Sequence, residues 1–187
     1  MGQRMFVSVG LPDPVREDLA DFLAPREGMP WIDPAQWHLT LAFMSSVHEA
    51  RTDELTERLA EAAGRVAPFA LRLTGAGCFP DPTRASVLWL GVDDAAREPL
   101  THLAASSRAA ANVTGATPEG KAFVPHLTLA RLRRPIEATR WLRVLDTWTS
   151  DPFVVDSVEL VASYLHEAAK GRPRHEVLAS LPLGSGG

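Results

Sequence analysis

An α+β fold built as two similar lobes is the architecture this chain predicts, and three observations carry that expectation. Strand-like alternation and helix-like periodicity follow one another as strand, helix, strand, helix, strand; the order then recurs; and the pentapeptide His-Leu-Thr-Leu-Ala stands at 38–42 and again at 126–130. The length fits, since 187 residues make one full-sized domain or two small lobes on a shared core. With 45% hydrophobic and 22% charged residues the composition is ordinary for a globular protein and sets aside disorder, collagen and coiled coil.

Residues 5–11 alternate and read as the first strand, after which Asp13 and Pro14 supply an N-cap and a first-turn proline for a helix to about Leu23. Residues 37–43 read as the second strand. Leu55, Leu59, Ala62, Ala63 and Val66 fall at helical spacing within a helix of roughly 51–66. Residues 69–73 alternate again, and Gly75-Ala76-Gly77-Cys78-Phe79-Pro80 reads as a loop. In the second half, 86–92 reads as a strand, 95–112 as an Ala-rich helix and 124–131 as a strand. Trp141, Leu145 and Trp148 then mark one face of a helix, and strands near 153–165 and 175–181 close the chain. Pro68-Phe69 lies 30 residues after His38 and Pro152-Phe153 lies 26 after His126, so the correspondence outruns the pentapeptide. The expectation is one bilobal domain over 1–183, with internal repeats of about 1–80 and 84–165, the closing strand at 175–181, and a flexible Gly-Ser-Gly-Gly tail at 184–187.

Charge narrows the function. The formal net charge is -4, which argues against coating nucleic acid through bulk positive charge. Its distribution is uneven: residues 1–120 carry net -6, residues 121–143 net +5 and residues 144–187 net -3. A single cysteine, Cys78, offers no internal disulfide, and no Cys/His spacing resembles a zinc site. Residues 5–11 are too short for a signal-peptide core, and no apolar run approaches the ~18–20 residues of a membrane helix. Phe6 stands where a myristoylation motif wants Ser or Thr. A cytoplasmic protein with no membrane partner is expected.

Successive side chains of a strand face opposite ways, so His38 and Thr40 share one face while Leu39 and Leu41 enter the core; His126 and Thr128 repeat the arrangement. If the middle strands of the lobes lie adjacent, two imidazoles and two hydroxyls converge on one cleft. Phosphodiester opening by in-line displacement needs a base for the incoming oxygen and an acid for the leaving one, on opposite sides of phosphorus. Two histidines with ordinary values near ~6.5 supply a neutral and a protonated imidazole around neutral pH. Threonine hydroxyls can hold the non-bridging oxygens.

These residues resemble the 2H phosphoesterase superfamily, defined by two His-x-Thr-x motifs on pseudo-symmetric lobes, and within it the RNA 2′,3′-cyclic phosphodiesterase family, also called LigT-like or 2′-5′ RNA ligase. The resemblance covers nearly the whole chain, including 6–12, 31–43, 69–80, Val87-Leu88-Trp89-Leu90-Gly91-Val92, Phe123-Val124-Pro125-His126-Leu127-Thr128-Leu129-Ala130-Arg131 and 163–183. It implies two pseudo-symmetric lobes, each with an antiparallel sheet and outer helices, flanking an active-site cleft. It implies that His38 donates a proton to the leaving 3′ oxygen, that His126 activates water, and that a 2′,3′-cyclic phosphate opens to a 2′-phosphate without cofactor or metal. Thr40 and Thr128 would hold the phosphate, with Arg131 and Phe43 as substrate contacts. The near-identical motifs do not themselves separate donor from acceptor. Strict alternation puts Arg131 and Phe43, each five residues after its histidine, on the wrong face unless the strand bulges. The chain departs from the family pattern at His175, where an aromatic such as Tyr is expected, and at Trp37.

Blander readings cover the rest. His48, His102 and His166 lack a partner motif and read as surface or loop residues; Trp89, Trp141 and Trp148 read as core; Cys78 reads as an incidental thiol. The cluster of Arg131, Arg133, Arg134, Arg140 and Arg143 is either a solvated face or a phosphate contact. Partners expected are RNA ends or nucleotides bearing a 2′,3′-cyclic phosphate, met by a monomer. The alternatives are a 2′-5′ RNA ligase or phosphodiesterase, a hydrolase of another small cyclic phosphate, and a non-catalytic RNA-binding module using the basic stretch.

Overall fold

The alternating segments become strands and the periodic ones helices in a computed structural model of the chain, which describes residues 2–165 and 172–184. In order they are β1 (Gly2–Gly10), α1 (Asp13–Leu23), β2 (His38–His48), α2 (Thr52–Gly64), β3 (Phe69–Leu71), β4 (Leu73–Phe79), β5 (Ala85–Val92), α3 (Asp94–Val113), β6 (Leu127–Ile136), α4 (Thr139–Leu145), β7 (Phe153–Val155), β8 (Ser157–Tyr164) and β9 (Arg174–Pro182). His166 and residues 185–187 of the expected tail lie outside the described residues. Among the described residues no helix is long and apolar enough to cross a membrane.

Seven strands form one antiparallel sheet in the order β4-β5-β6-β2-β1-β8-β9, and β3 pairs with β7 in a second, two-stranded sheet. The two middle strands meet at the centre of the large sheet, where Leu39 faces Leu127. The two Pro-Phe landmarks also meet: Phe69 faces Val155 and Leu71 faces Phe153. Corresponding strands thus pair with each other at both places, as a pseudo-twofold relation requires. β4 comes from the first half of the sequence yet pairs with β5 of the second, and β8 from the second half pairs with β1 of the first. Each side of the sheet is therefore completed by a strand from the other half of the chain.

The helices bury one stripe each. Val15, Leu19 and Leu23 of α1, Leu55, Leu59 and Ala63 of α2, and Leu100, Leu103, Ala104 and Ala111 of α3 recur at three- and four-residue spacing and join Leu39, Leu41, Leu127 and Leu129 in one buried cluster. Burying each of the leucines and the valine among them is worth about 1.5–3 kcal/mol. The sheet face opposite those leucines is left to the site.

Asp13 is the first residue of α1, with Pro12 at the N-cap position and no side-chain capping bond, and three further expectations need correction. Residues 75–80 are not simply a loop, because β4 runs through Phe79. Its glycines serve packing and bending: Gly75 takes φ +81 where the β4–β5 register slips, and a Cβ on Gly77 would lie 2.3 Å from the Trp89 indole. Gly77→Val is expected to lower stability by about 1–3 kcal/mol, read as a fall of several degrees in thermal midpoint; a variant as stable as the parent would mean the indole has room to move. Secondly, α4 ends at Leu145, so Trp148 lies beyond the helix, though it is buried and its indole donates to Asp18 Oδ2 at 3.1 Å. Thirdly, Trp89 and Trp141 are half-buried rather than core; Trp141 meets Trp31 edge to face at 5.6 Å.

Candidate active site

The register that sets Leu39 against Leu127 carries over one residue either way, placing His38 opposite Thr128 and Thr40 opposite His126. Directly opposed residues share a face, so all four side chains stand together. They line one cleft of about 1180 Å³, together with Phe43, Arg131, Arg133 and His175.

How Arg131 and Phe43 reach that cleft is written in the backbone. Along β6, Thr128 pairs with Trp89 but Ala130 pairs with Leu88, so one extra residue is inserted around Leu129. Along β2, Thr40 pairs with Ser8 but Ala42 pairs with Val7, the same insertion around Leu41. Each copy of His-Leu-Thr-Leu-Ala thus carries a β-bulge after its threonine. Leu41 and Ala42, like Leu129 and Ala130, are consecutive yet all buried, and the next residue returns to the cleft. The alternation rule misplaces Arg131 and Phe43 because it does not count this inserted residue. The carbonyl of Leu129 accepts the Ile32 N–H at 2.8 Å, which ties the bulge to the segment ahead of β2.

Both histidines are held alike. The Nδ1 of His38 lies 2.7 Å from the Gln36 carbonyl, and that of His126 lies 2.6 Å from the Val124 carbonyl. A carbonyl only accepts, so each Nδ1 donates, leaving Nε2 as the nitrogen that can trade a proton with a ligand. Aromatic neighbours fix the rings. Phe6 stacks on His38 at 4.5 Å with an 18° interplanar angle, whereas Phe79 meets His126 edge-on at 5.1 Å and Trp89 lies 5.8 Å away. Among the described residues neither Thr40 nor Thr128 makes a side-chain hydrogen bond, so both hydroxyls are open to a ligand.

Electrostatics revise the expectation of one neutral and one protonated imidazole. Burial pushes His38 down to about 4, with the positive charges of His175, Arg131 and His126 adding to the effect against the opposing Gln36 carbonyl. Burial also lowers His126, with Arg131 adding to it against the Val124 carbonyl. Without a ligand, both rings are neutral around neutral pH. An anion between them reverses the balance by favouring the imidazolium.

His175 is the departure that gains most from the structure. From β9 it meets Phe6 at 5.0 Å and His38 at 5.8 Å, both edge to face, and burial lowers its pKa. Its sequence context gave no sign of this, because its contacts come from the other end of the chain. Phe6 was visible only as one apolar residue of a strand. Of the arginine cluster, Arg131 and Arg133 line the cleft while Arg134, Arg140 and Arg143 do not. His48 and His102 are exposed, and His48 caps the turn after β2 by accepting from the Ala50 N–H. Cys78 is half-buried, and burial beside Asp81 raises its pKa, away from a nucleophilic thiolate. Among the described residues no group of three His, Cys, Asp or Glu side chains is placed to hold a metal ion.

Comparison with known proteins finds relatives in both sequence and fold. The model of the 2′-5′ RNA ligase superfamily matches residues 11–167. The RNA 2′,3′-cyclic phosphodiesterase of Escherichia coli is 31% identical, over 94% of each chain. That of Aquifex aeolicus is 36% identical over 55% of each chain, so the match spans about half the length of that relative. The crystal structure of E. coli LigT complexed with 3′-AMP superposes with a TM-score of 0.77 at 29% identity, covering 98% of this chain and 99% of that one.

Proposed function

The chain belongs to the 2′-5′ RNA ligase superfamily, and on that premise we propose that it opens 2′,3′-cyclic phosphates of RNA ends or nucleotides to 2′-phosphates by metal-independent acid/base catalysis, with His38 as the acid and His126 as the base. The observation that carries this reading is the convergence of two histidines with matching carbonyl bonds and two threonines, without side-chain hydrogen bonds among the described residues, on one face of adjacent antiparallel strands. The names of the relatives support the reaction class.

In the proposed step the Nε2 of His126 takes a proton from water as its oxygen attacks phosphorus. The bond from phosphorus to the 3′ oxygen breaks, and the Nε2 of His38 gives its proton to that oxygen. A 2′-phosphate and a 3′-hydroxyl result, and the two rings reset by exchanging one proton with solvent. Thr40 and Thr128 donate to the non-bridging oxygens, and Arg131 offsets the charge that gathers there. His38 must be protonated to act, which the free cleft opposes; the bound phosphate supplies the negative charge that brings its proton on. Phe43 offers one ring face to a base, the Arg4 guanidinium lying 4.7 Å from the ring centroid.

Hydrolysis of a 2′,3′-cyclic nucleotide in excess EDTA tests the reading. The parent protein is expected to remain fully active, and His38→Ala and His126→Ala each to lose roughly 10²–10⁴-fold. Activity that survives either substitution, or that disappears with the chelator, would sink it.

A further inference from the structure

Among the described residues six cationic side chains line the cleft, and most are already engaged. Arg172 pairs with Asp33 at 3.5 Å, Lys121 with Glu119 at 3.8 Å, Arg108 donates to the Lys121 carbonyl at 2.8 Å, and Arg4 lies over Phe43. Arg131 and Arg133 make no ion pair or hydrogen bond among the described residues. Arg131 stands next to the reacting phosphate in the reading above. Arg133 has no task there.

Its position suggests one. β2 and β6 run antiparallel, so β6 beyond Thr128 travels alongside the residues that precede His38; the bridge between Trp31 and Ala130 and the bond from Ile32 to Leu129 mark that course. Arg131 and then Arg133 therefore lie past the His38 end of the site, with Arg133 in the stretch between Arg131 and Ile136 where the β5–β6 register slips, its side chain still lining the cleft. In an in-line displacement with His38 at the leaving oxygen, the ribose lies on the His38 side and water on the other. The same ribose carries, at its 5′ carbon, the next phosphate of an RNA chain. The cleft is also larger than one nucleotide needs, at about 1180 Å³ against roughly 300–1,000 Å³ for sites that hold a single small molecule.

We propose that Arg133 forms a subsite for the phosphodiester linking the terminal nucleotide to the one before it, so that the preferred substrate is an RNA 3′ end and not a free cyclic nucleotide. This rests on the assignment of His38 as the donor. With no ion pair or hydrogen bond among the described residues, the Arg133 guanidinium can bind a phosphate through charge-assisted hydrogen bonds without first giving up one of those contacts. The next base is not read, because a phosphate contact carries no sequence information.

The test compares kcat/KM for a cyclic mononucleotide with that for a dinucleotide ending in a 2′,3′-cyclic phosphate, in the parent, Arg133→Ala and Arg134→Ala proteins. Arg134→Ala removes the same charge from the same strand outside the cleft. The parent is expected to favour the dinucleotide about tenfold, through KM; Arg133→Ala should lose that preference and Arg134→Ala keep it. The salt dependence of kcat/KM on the dinucleotide should flatten by about 0.7 in logarithmic slope in Arg133→Ala. Equal turnover of both substrates by the parent, or equal losses in the two arginine variants, would overturn the subsite while leaving cyclic-phosphate opening intact. A parent that opens neither substrate would instead overturn the reading of the catalytic site, and the subsite with it.

Discussion

His38→Ala is expected to lose roughly 10³-fold on a ribose 2′,3′-cyclic phosphate and to regain most of that loss on a deoxynucleoside para-nitrophenyl phosphodiester, while His126→Ala stays slow on both. The asymmetry follows from the leaving group. A ribose 3′ oxygen departs as a poor alkoxide unless it receives a proton as its bond to phosphorus breaks, and that proton is what His38 would provide. Nitrophenolate departs without one, so an acid becomes dispensable. Water is a weak nucleophile against either ester, so the base is needed throughout. The two histidines are held by matching carbonyl bonds to Gln36 and Val124, so local geometry does not rank them. A stacked Phe6 and a neighbouring His175 distinguish His38, whereas edge-on Phe79 and Trp89 distinguish His126. Leaving-group dependence therefore decides the split directly. Recovery by His126→Ala in place of His38→Ala would exchange the two roles, and recovery by neither would mean that both groups bind the phosphate without moving protons.

The four polar residues of the site are legible in the sequence because a strand has only two faces, so an interval of two between His and Thr is enough to put them together. Their meeting across β2 and β6 is legible because the pentapeptide occurs twice, and a pseudo-twofold relation pairs equivalents. The bulges are the limit of that logic. Alternation counts residues, and an inserted one shifts every later side chain to the other face without altering composition. The trace it leaves is an apolar pair, Leu41-Ala42 and Leu129-Ala130, where alternation allows only one buried position. Read that way, the pair predicts that the following Phe43 and Arg131 return to the cleft. The glycines of β4 mislead for a related reason, since Gly77 marks the close approach of Trp89 and not an end of the strand. Long-range contacts leave no local trace at all, and the cluster of Phe6, His38 and His175 joins three distant strands.

Mild acid should unfold this protein more readily than carboxylate titration alone would predict. In the folded chain His38 has a pKa of about 4, against about 6.5 when unfolded. Between those values the unfolded chain binds the extra proton, so the stability that His38 contributes is fully present above about pH 6.5 and is lost as pH falls toward and through 4. The loss is on the order of 3 kcal/mol, a large part of the ~5–15 kcal/mol that holds a typical domain together. His126 and His175 are shifted in the same direction and add to it. Carboxylates held low by hydrogen bonds, such as Asp81 and Glu137, titrate at lower pH, so the histidine loss comes first as acid is added. Urea unfolding at about pH 7 and about pH 4.5 measures it, and His38→Asn should flatten the dependence because the replacement has no proton to gain. A parent protein equally stable at both values would mean that the imidazoles are already solvated in the free cleft. It would then remove the reason for requiring substrate to bring the proton onto His38.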